Sequence, residues 1–246
     1  MSAERPILLM TRPLQAGRDF VDTLPDDIRS AIEPVFAPLI QIEGTGINID
    51  QGSARGLILT SSNAVEIARV LQFTTDLPCY CVGTRTTQAA RNAGWAAQTG
   101  GDTADALVAD LIARRPPAPL LHLCGRHRRG QIAERLTEAG LPTSECAIYD
   151  QRLLGAPPEV LARLNTGQTV IAPVFSPRTA RQFVEEFATR GHIHAIALSD
   201  AVADPLLSCG FASVSTACRP DARAMVEELR RVLAETARLE AKGSAQ

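Results

Sequence analysis

Short apolar runs in this sequence end repeatedly in small hydroxyl residues, glycines and arginines. Thr11 and Arg12 follow the first run. Thr60, Ser61, Ser62 and Asn63 follow the second, and Gly83, Thr84 and Thr86 the third. Gly125 with Arg126, Ser176 with Pro177, and Ser199 with Asp200 follow three later runs. A helical pattern begins after each group. The free N–H groups and positive dipole end of a helix attract anions, so residues of these types can hold phosphate or carboxylate there. Taken singly, each Ser, Thr or Asn also reads as a helix N-cap, worth about 1 kcal/mol. Taken together at one end of a sheet, they exceed what capping requires. Arg12, Arg126, Arg128 and Arg129 add positive charge at the same end, although Arg128 and Arg129 read equally as a solvated helix face.

Other chemistries are not written here. No G-x-G-x-x-G follows a strand, and no G-x-x-x-x-G-K-[ST], G-x-S-x-G or H-E-x-x-H is present. No paired-carboxylate motif occurs. The cysteines (Cys79, Cys81, Cys124, Cys146, Cys209 and Cys218) contain no C-x-x-C, and His122, His127, His192 and His194 lack zinc-site spacing. Cys79 and Cys81 share one strand face, yet all six cysteines are expected to be reduced, buried and inert. No metal is expected. These residues suit an enzyme or receptor for an anionic small molecule, working without nucleotide, metal or covalent nucleophile.

The elements that must position them alternate along the chain. ILLMTRP (7–13), GLILTSS (56–62), PCYCVG (78–83), PLLHLCG (119–125), TVIAPVFSP (169–177) and HIHAIALSD (192–200) read as strands running into turns. Helical patterns follow, among them RHRRGQIAERLTEAG, and stop at Gly94, Gly140, Gly191 and Gly210, whose left-handed conformation closes a helix. A last amphipathic helix runs from Asp221 to about Lys242. It has Met225, Leu229, Val232 and Leu233 on one face and Glu227 paired with Arg231. This alternation predicts parallel α/β architecture, and strands apolar on both faces predict helices on both sides of a sheet. LTSSNAVEIA (59–68) resembles VFSPRTARQF (174–183) at an offset of 115, which suggests two similar α/β lobes. PVFAPLIQIEG (34–44) and ECAIYDQRLLG (145–155) are extended and break the alternation. They read as a two-stranded connector over 35–44 and 145–155, with 45–144 as a lobe inserted into another made of 1–34 and 156–246. A site would then lie in a cleft between the lobes.

At 246 residues the chain fits one large domain or two modest ones. Lys+Arg of 25 against Asp+Glu of 27 gives a net charge of -2 and argues against a nucleic-acid binder. No stretch is long and apolar enough for a membrane span, and Ile7 to Met10 is too short for an export signal, so a cytoplasmic chain is expected.

In order and spacing, ILLMTRP, LILTSSNAV, YCVGTRTTQAARNAG, LLHLCGRHRRGQIAERLTEAG, AIYDQRL and VFSPRTARQF resemble the uroporphyrinogen-III synthase family across nearly the whole chain. The resemblance implies two α/β lobes joined by a two-strand ladder, a monomer, and no cofactor. It implies cyclisation of hydroxymethylbilane, handed over by hydroxymethylbilane synthase, to uroporphyrinogen III in haem, sirohaem or cobalamin synthesis. Water is lost and ring D inverted through a spiro intermediate. Tyr149 matches the tyrosine proposed to assist hydroxide departure; a hydrogen-bonded hinge residue is its other reading. Thr11, Arg12, Ser61, Ser62, Asn63, Gly83, Thr86, Ser176 and Pro177 match substrate-binding turns, and Gly125 and Arg126 join them by position. The sequence departs from the family at Leu198–Ala203, where a glycine and threonines are missing; only Ser199 is left to bind there. Asp150 should face away from Tyr149. A bilobal binding module for an anionic metabolite is the alternative reading.

Overall fold

The computed structural model describes residues 5–47, 53–127, 130–188 and 192–243. The chain begins with β1 (Ile7–Met10), α1 (Leu14–Asp22), α2 (Asp26–Ala31), β2 (Glu33–Phe36) and β3 (Ile40–Gly44). It continues through β4 (Gly56–Leu59), α3 (Ser62–Val70), β5 (Cys79–Cys81), α4 (Gly83–Asn92), β6 (Ala97–Thr99) and α5 (Ala104–Arg114). Next come β7 (Leu120–Gly125), α6 (Ile132–Glu138), β8 (Thr143–Leu153) and α7 (Pro158–Leu164). It ends with β9 (Val170–Val174), α8 (Pro177–Phe187), β10 (Ile193–Ala197), α9 (Asp200–Leu207), β11 (Ser213–Thr216) and α10 (Ala222–Gly243).

Two compact units result: Met1–Gln41 with Leu153–Gln246, and Ile42–Arg152. A five-stranded sheet has the order β11-β10-β9-β1-β2, and a six-stranded sheet the order β3-β8-β7-β4-β5-β6. All pairs of the first sheet, and those from β8 to β6 in the second, are parallel. The mixed α/β architecture with parallel sheets follows from the strand composition. In β1, Ile7 and Leu9 enter one core while Leu8 and Met10 enter another. In β4, Leu57 and Leu59 go one way and Ile58 the other. Alternate side chains of one strand thus fill two helix-covered faces, each large apolar side chain contributing about 1.5–3 kcal/mol on full burial. Strands β9-β10-β11 with β1 and β2 beside them repeat the order of β4-β5-β6 with β7 and β8 beside them.

Several expectations need correction. The helix expected from Arg126 begins at Ile132, because Gly130 (φ 95) and Gln131 (φ 44) are left-handed and cannot extend a right-handed helix backwards. Residues 34–44 do not form one strand. Phe36 ends β2, which pairs with β1, whereas β3 lies beside β8. Likewise β8 pairs with β7 from Thr143 to Tyr149, so much of 145–155 belongs to the second sheet, and the units divide at 41/42 and 152/153. Gly94 (φ 100) and Gly140 (φ 78) do close helices in the left-handed region, but Gly210 does not adopt a positive φ. Gly191, Arg128 and Arg129 lie outside the described residues. Arg231 pairs with Glu228 and Glu235 instead of Glu227, which meets Arg223. Cys79, Cys81 and Cys124 are buried, with Cys79 and Cys81 sulfurs 3.6 Å apart, but Cys146 and Cys209 are half-buried and Cys218 is exposed in the turn before α10.

Candidate functional site

In an open parallel sheet a ligand binds outside the carboxyl ends of the strands, where the winding reverses. In the six-stranded sheet the chain moves from β4 to β5 and β6 on one side and from β7 to β8 on the other, so the reversal lies between β4 and β7. A pocket of about 260 Å³ opens there. Thr60 and Ser61 reach it from the end of β4, Cys124 and Gly125 from β7, His127 from the bend beyond, and Tyr149 from β8; Val82, Ala104 and Ile132 complete its wall.

Tyr149 is 5% exposed, and its hydroxyl shares a hydrogen bond of 2.9 Å with Ser61 Oγ. Ser61 also caps α3, accepting from Ala64 N at 3.1 Å. The cap and the partner of the phenol are therefore one atom. Burial raises the Tyr149 pKa above its ordinary value, and the Ser61 bond opposes this only in part. Such a phenol keeps its proton at neutral pH and can act as a fixed hydrogen-bond donor. Gly125 makes room for it, since a Cβ at that position would stand 2.7 Å from the Tyr149 ring. Register shifts between Cys124 and Gly125, where Arg126 N donates to Tyr149 O at 2.9 Å. Asp150 serves different partners from Tyr149. Its carboxylate lies 3.6 Å from Arg126 Nη1 and 3.5 Å from His127 Nε2. These groups are solvent-exposed enough that the pairs contribute little to stability.

The other residues expected in this unit do not line the pocket. Ser62 and Asn63 form the first turn of α3. Gly83 opens α4 at φ 73, a conformation that favours glycine, and its N–H donates to Gly101 O at 2.8 Å. Thr86 is buried in α4. Arg126 follows a strand without starting a helix, so the anion-binding argument from a helix end does not apply to it.

The five-stranded sheet reverses between β1 and β9. Thr11 and Arg12 leave β1 there, and Ser176 and Pro177 leave β9. Thr11 is 1% exposed, and its Oγ1 has no hydrogen-bond partner among the described residues. A buried hydroxyl in that condition is suited to a ligand oxygen. The Arg12 guanidinium lies 4.2 Å from the centroid of the Phe175 ring. Ser176 caps α8, accepting from Thr179 N at 3.1 Å, with Pro177 as the first helical residue. Ser199 stands one strand away, at the start of α9. Its hydroxyl makes no capping bond; its carbonyl accepts from Val202 and Ala203 N–H.

Sequence reasoning passed over His127 and Cys124 as site residues. The rule that selected Gly125, position at a strand's carboxyl end, would have found both.

A family model described as uroporphyrinogen-III synthase HemD matches residues 28–227. A solved uroporphyrinogen-III synthetase from Helicobacter pylori 26695 superposes with a TM-score of 0.68 at 16% identity, covering 93% of this chain and 100% of that one. For a mutant uroporphyrinogen III synthase from the extremely thermophilic bacterium Thermus thermophilus the TM-score is 0.47 at 15% identity, over 94% and 99%. The first likeness gives a shared fold; the second carries no further weight. A search of curated proteins by sequence finds no match.

Proposed function

The chain belongs to the uroporphyrinogen-III synthase family, and from that premise we propose how its residues close hydroxymethylbilane into uroporphyrinogen III in tetrapyrrole biosynthesis. The observation that carries the reading is the buried phenol of Tyr149, held by Ser61 at the winding reversal of a parallel sheet. The substrate's hydroxyl leaves ring A with a hydrogen bond from Tyr149, and the proton given up by the ring A pyrrole N–H balances its departure as water. Ring D attacks the resulting azafulvene through its substituted carbon. The spiro intermediate fragments and recloses with ring D inverted. Spontaneous closure gives the unflipped isomer, so the protein's work is mainly to fix conformation. The pocket, at about 260 Å³, is smaller than most ligand sites, commonly about 300–1,000 Å³. It is assigned one ring of the four.

Substrate carboxylates are assigned to the helix starts at Ser61, Ser62 and Asn63, at Gly83 and Thr86, and at Ser176, Pro177 and Ser199, with Thr11, Arg12, Gly125 and Arg126 completing the set. No cofactor is part of the proposal. It takes the two units as the family's two lobes, with the strands through Ile40–Gly44 and Thr143–Leu153 as the passages of the chain from one to the other. It also takes the enzyme as a cytoplasmic monomer that receives its substrate from hydroxymethylbilane synthase. Among the described residues no helix is long and apolar enough to cross a membrane. The test is product analysis: purified protein with hydroxymethylbilane, oxidised and chromatographed, is expected to give the III isomer. Formation of the I isomer alone at the spontaneous rate refutes the proposal.

A further inference from the structure

Behind the pocket wall, β7 presents His122 and Cys124 on one face, two residues apart. Glu145 of β8 stands in register opposite His122. One ligand atom from each, an imidazole nitrogen, a thiol sulfur and a carboxylate oxygen, lies within 4.8 Å of the other two. His122 and Cys124 are each 2% exposed, whereas Glu145 stands at the solvent edge. We infer that these three side chains form a site for a borderline-soft divalent cation of the Zn²⁺ class.

Three observations support the assignment. The donor set is mixed nitrogen, sulfur and oxygen, which suits Zn²⁺ or Co²⁺ better than Mg²⁺ or Ca²⁺. Bonds of about 2.0–2.3 Å place the ligand atoms of a tetrahedral site about 3.5 Å apart, so the cluster needs only about an ångström of closure. An acidic approach also leads to it. A groove of about 450 Å³ between α6 and β8 is lined by Glu134, Glu138 and Glu145, a single-sign lining that concentrates cations.

Charge balance favours a divalent ion. On binding, the Cys124 thiol releases its proton to solvent, and its sulfur lone pair forms the bond to the metal. His122 supplies a ring-nitrogen lone pair and Glu145 a carboxylate oxygen. The thiolate and carboxylate together neutralise the ion, so a site with two buried ligands carries no net charge once it is occupied. The fourth position is left to water. Cys124 also lines the Tyr149 pocket, so occupancy of the site would alter one wall of that pocket.

The test is a Co²⁺ titration of the reduced, full-length protein. It is expected to give one equivalent of bound metal, a thiolate-to-cobalt charge-transfer band, and the strong visible bands of a four-coordinate ion, all abolished by added Zn²⁺. Cys124→Ser is expected to remove the charge-transfer band. Glu145→Gln, at the solvent edge, should weaken Co²⁺ binding at least about tenfold, and Cys218→Ser should leave the titration unchanged. The inference is overturned by absence of the band in the wild-type protein, by a band that persists in Cys124→Ser, or by one lost in Cys218→Ser. If Cys124→Ser fails to fold, unchanged affinity in Glu145→Gln overturns it. In those cases His122, Cys124 and Glu145 are a polar cluster of the core.

Discussion

Tyr149 meets two demands in one side chain. Its ring fills the space left by Gly125, and its hydroxyl is shared with the cap of α3. Burial raises the folded-state pKa above that of an exposed tyrosine. Stability contributed by the neutral phenol is therefore fully present below about pH 10 and is lost as pH rises through the higher folded-state value. Tyrosinate absorbance followed against pH should show Tyr149 ionising above the ordinary value, as Tyr80 does through its own burial. The step belonging to Tyr149 should vanish in Tyr149→Phe. Gly125→Ala places a methyl group against the ring, and an overpacked core typically costs about 1–3 kcal/mol. A lower midpoint in denaturant, together with slower product formation, is expected. At this scale the sequence was partly legible. Ser61 was readable as a cap from its place before a helix, and Tyr149 from the family resemblance. Their mutual bond was not, because it joins positions 88 apart and depends on the register of β8. His127 was missed although it follows a strand end, since its contact with Asp150 also needs that register.

Secondary-structure elements were more legible than the turns between them. Apolar runs such as LLHLC could only be buried on both faces, and Gly94 and Gly140 ended helices as a left-handed residue must. The late start of α6 is not legible in the sequence, because helical periodicity cannot register the left-handed Gln131 that delays it. The pairing of β3 with β8 matches two segments that read as extended partners, whereas the pairing of β2 with β1 was hidden, because nothing in a local pattern names a strand's partner. The caps allow a test at this scale. Ser61→Ala and Ser176→Ala each lose an N-cap acceptor, worth about 1 kcal/mol by denaturant unfolding. Only Ser61→Ala also removes a partner of Tyr149. The tyrosinate titration should therefore move further up in Ser61→Ala and stay in place in Ser176→Ala.

For the molecule as a whole, the division into units is itself testable. Ile42–Arg152 is one contiguous stretch with a sheet covered by cores on both faces. A chain of residues 40–153, which keeps β3 and β8 whole, should unfold cooperatively on its own. A non-cooperative transition would mean that the unit depends on the rest of the molecule. Balanced totals of charged residues give no overall basic excess, yet they leave room for local anion sites at helix ends and at Arg12 and Arg126. The Michaelis constant for hydroxymethylbilane should therefore rise with ionic strength, as screening weakens exposed charge pairs. The most direct measurement is the ratio of III to I isomer formed from hydroxymethylbilane by the wild-type protein and by folded Tyr149→Phe, side by side. The wild type is predicted to give isomer III far faster than spontaneous closure, and Tyr149→Phe to make it at least about tenfold more slowly, the loss of one transition-state hydrogen bond of about 1.4 kcal/mol, with isomer I accumulating beside it. Isomer I alone from the wild type, or an undiminished rate of III from Tyr149→Phe, would contradict the account.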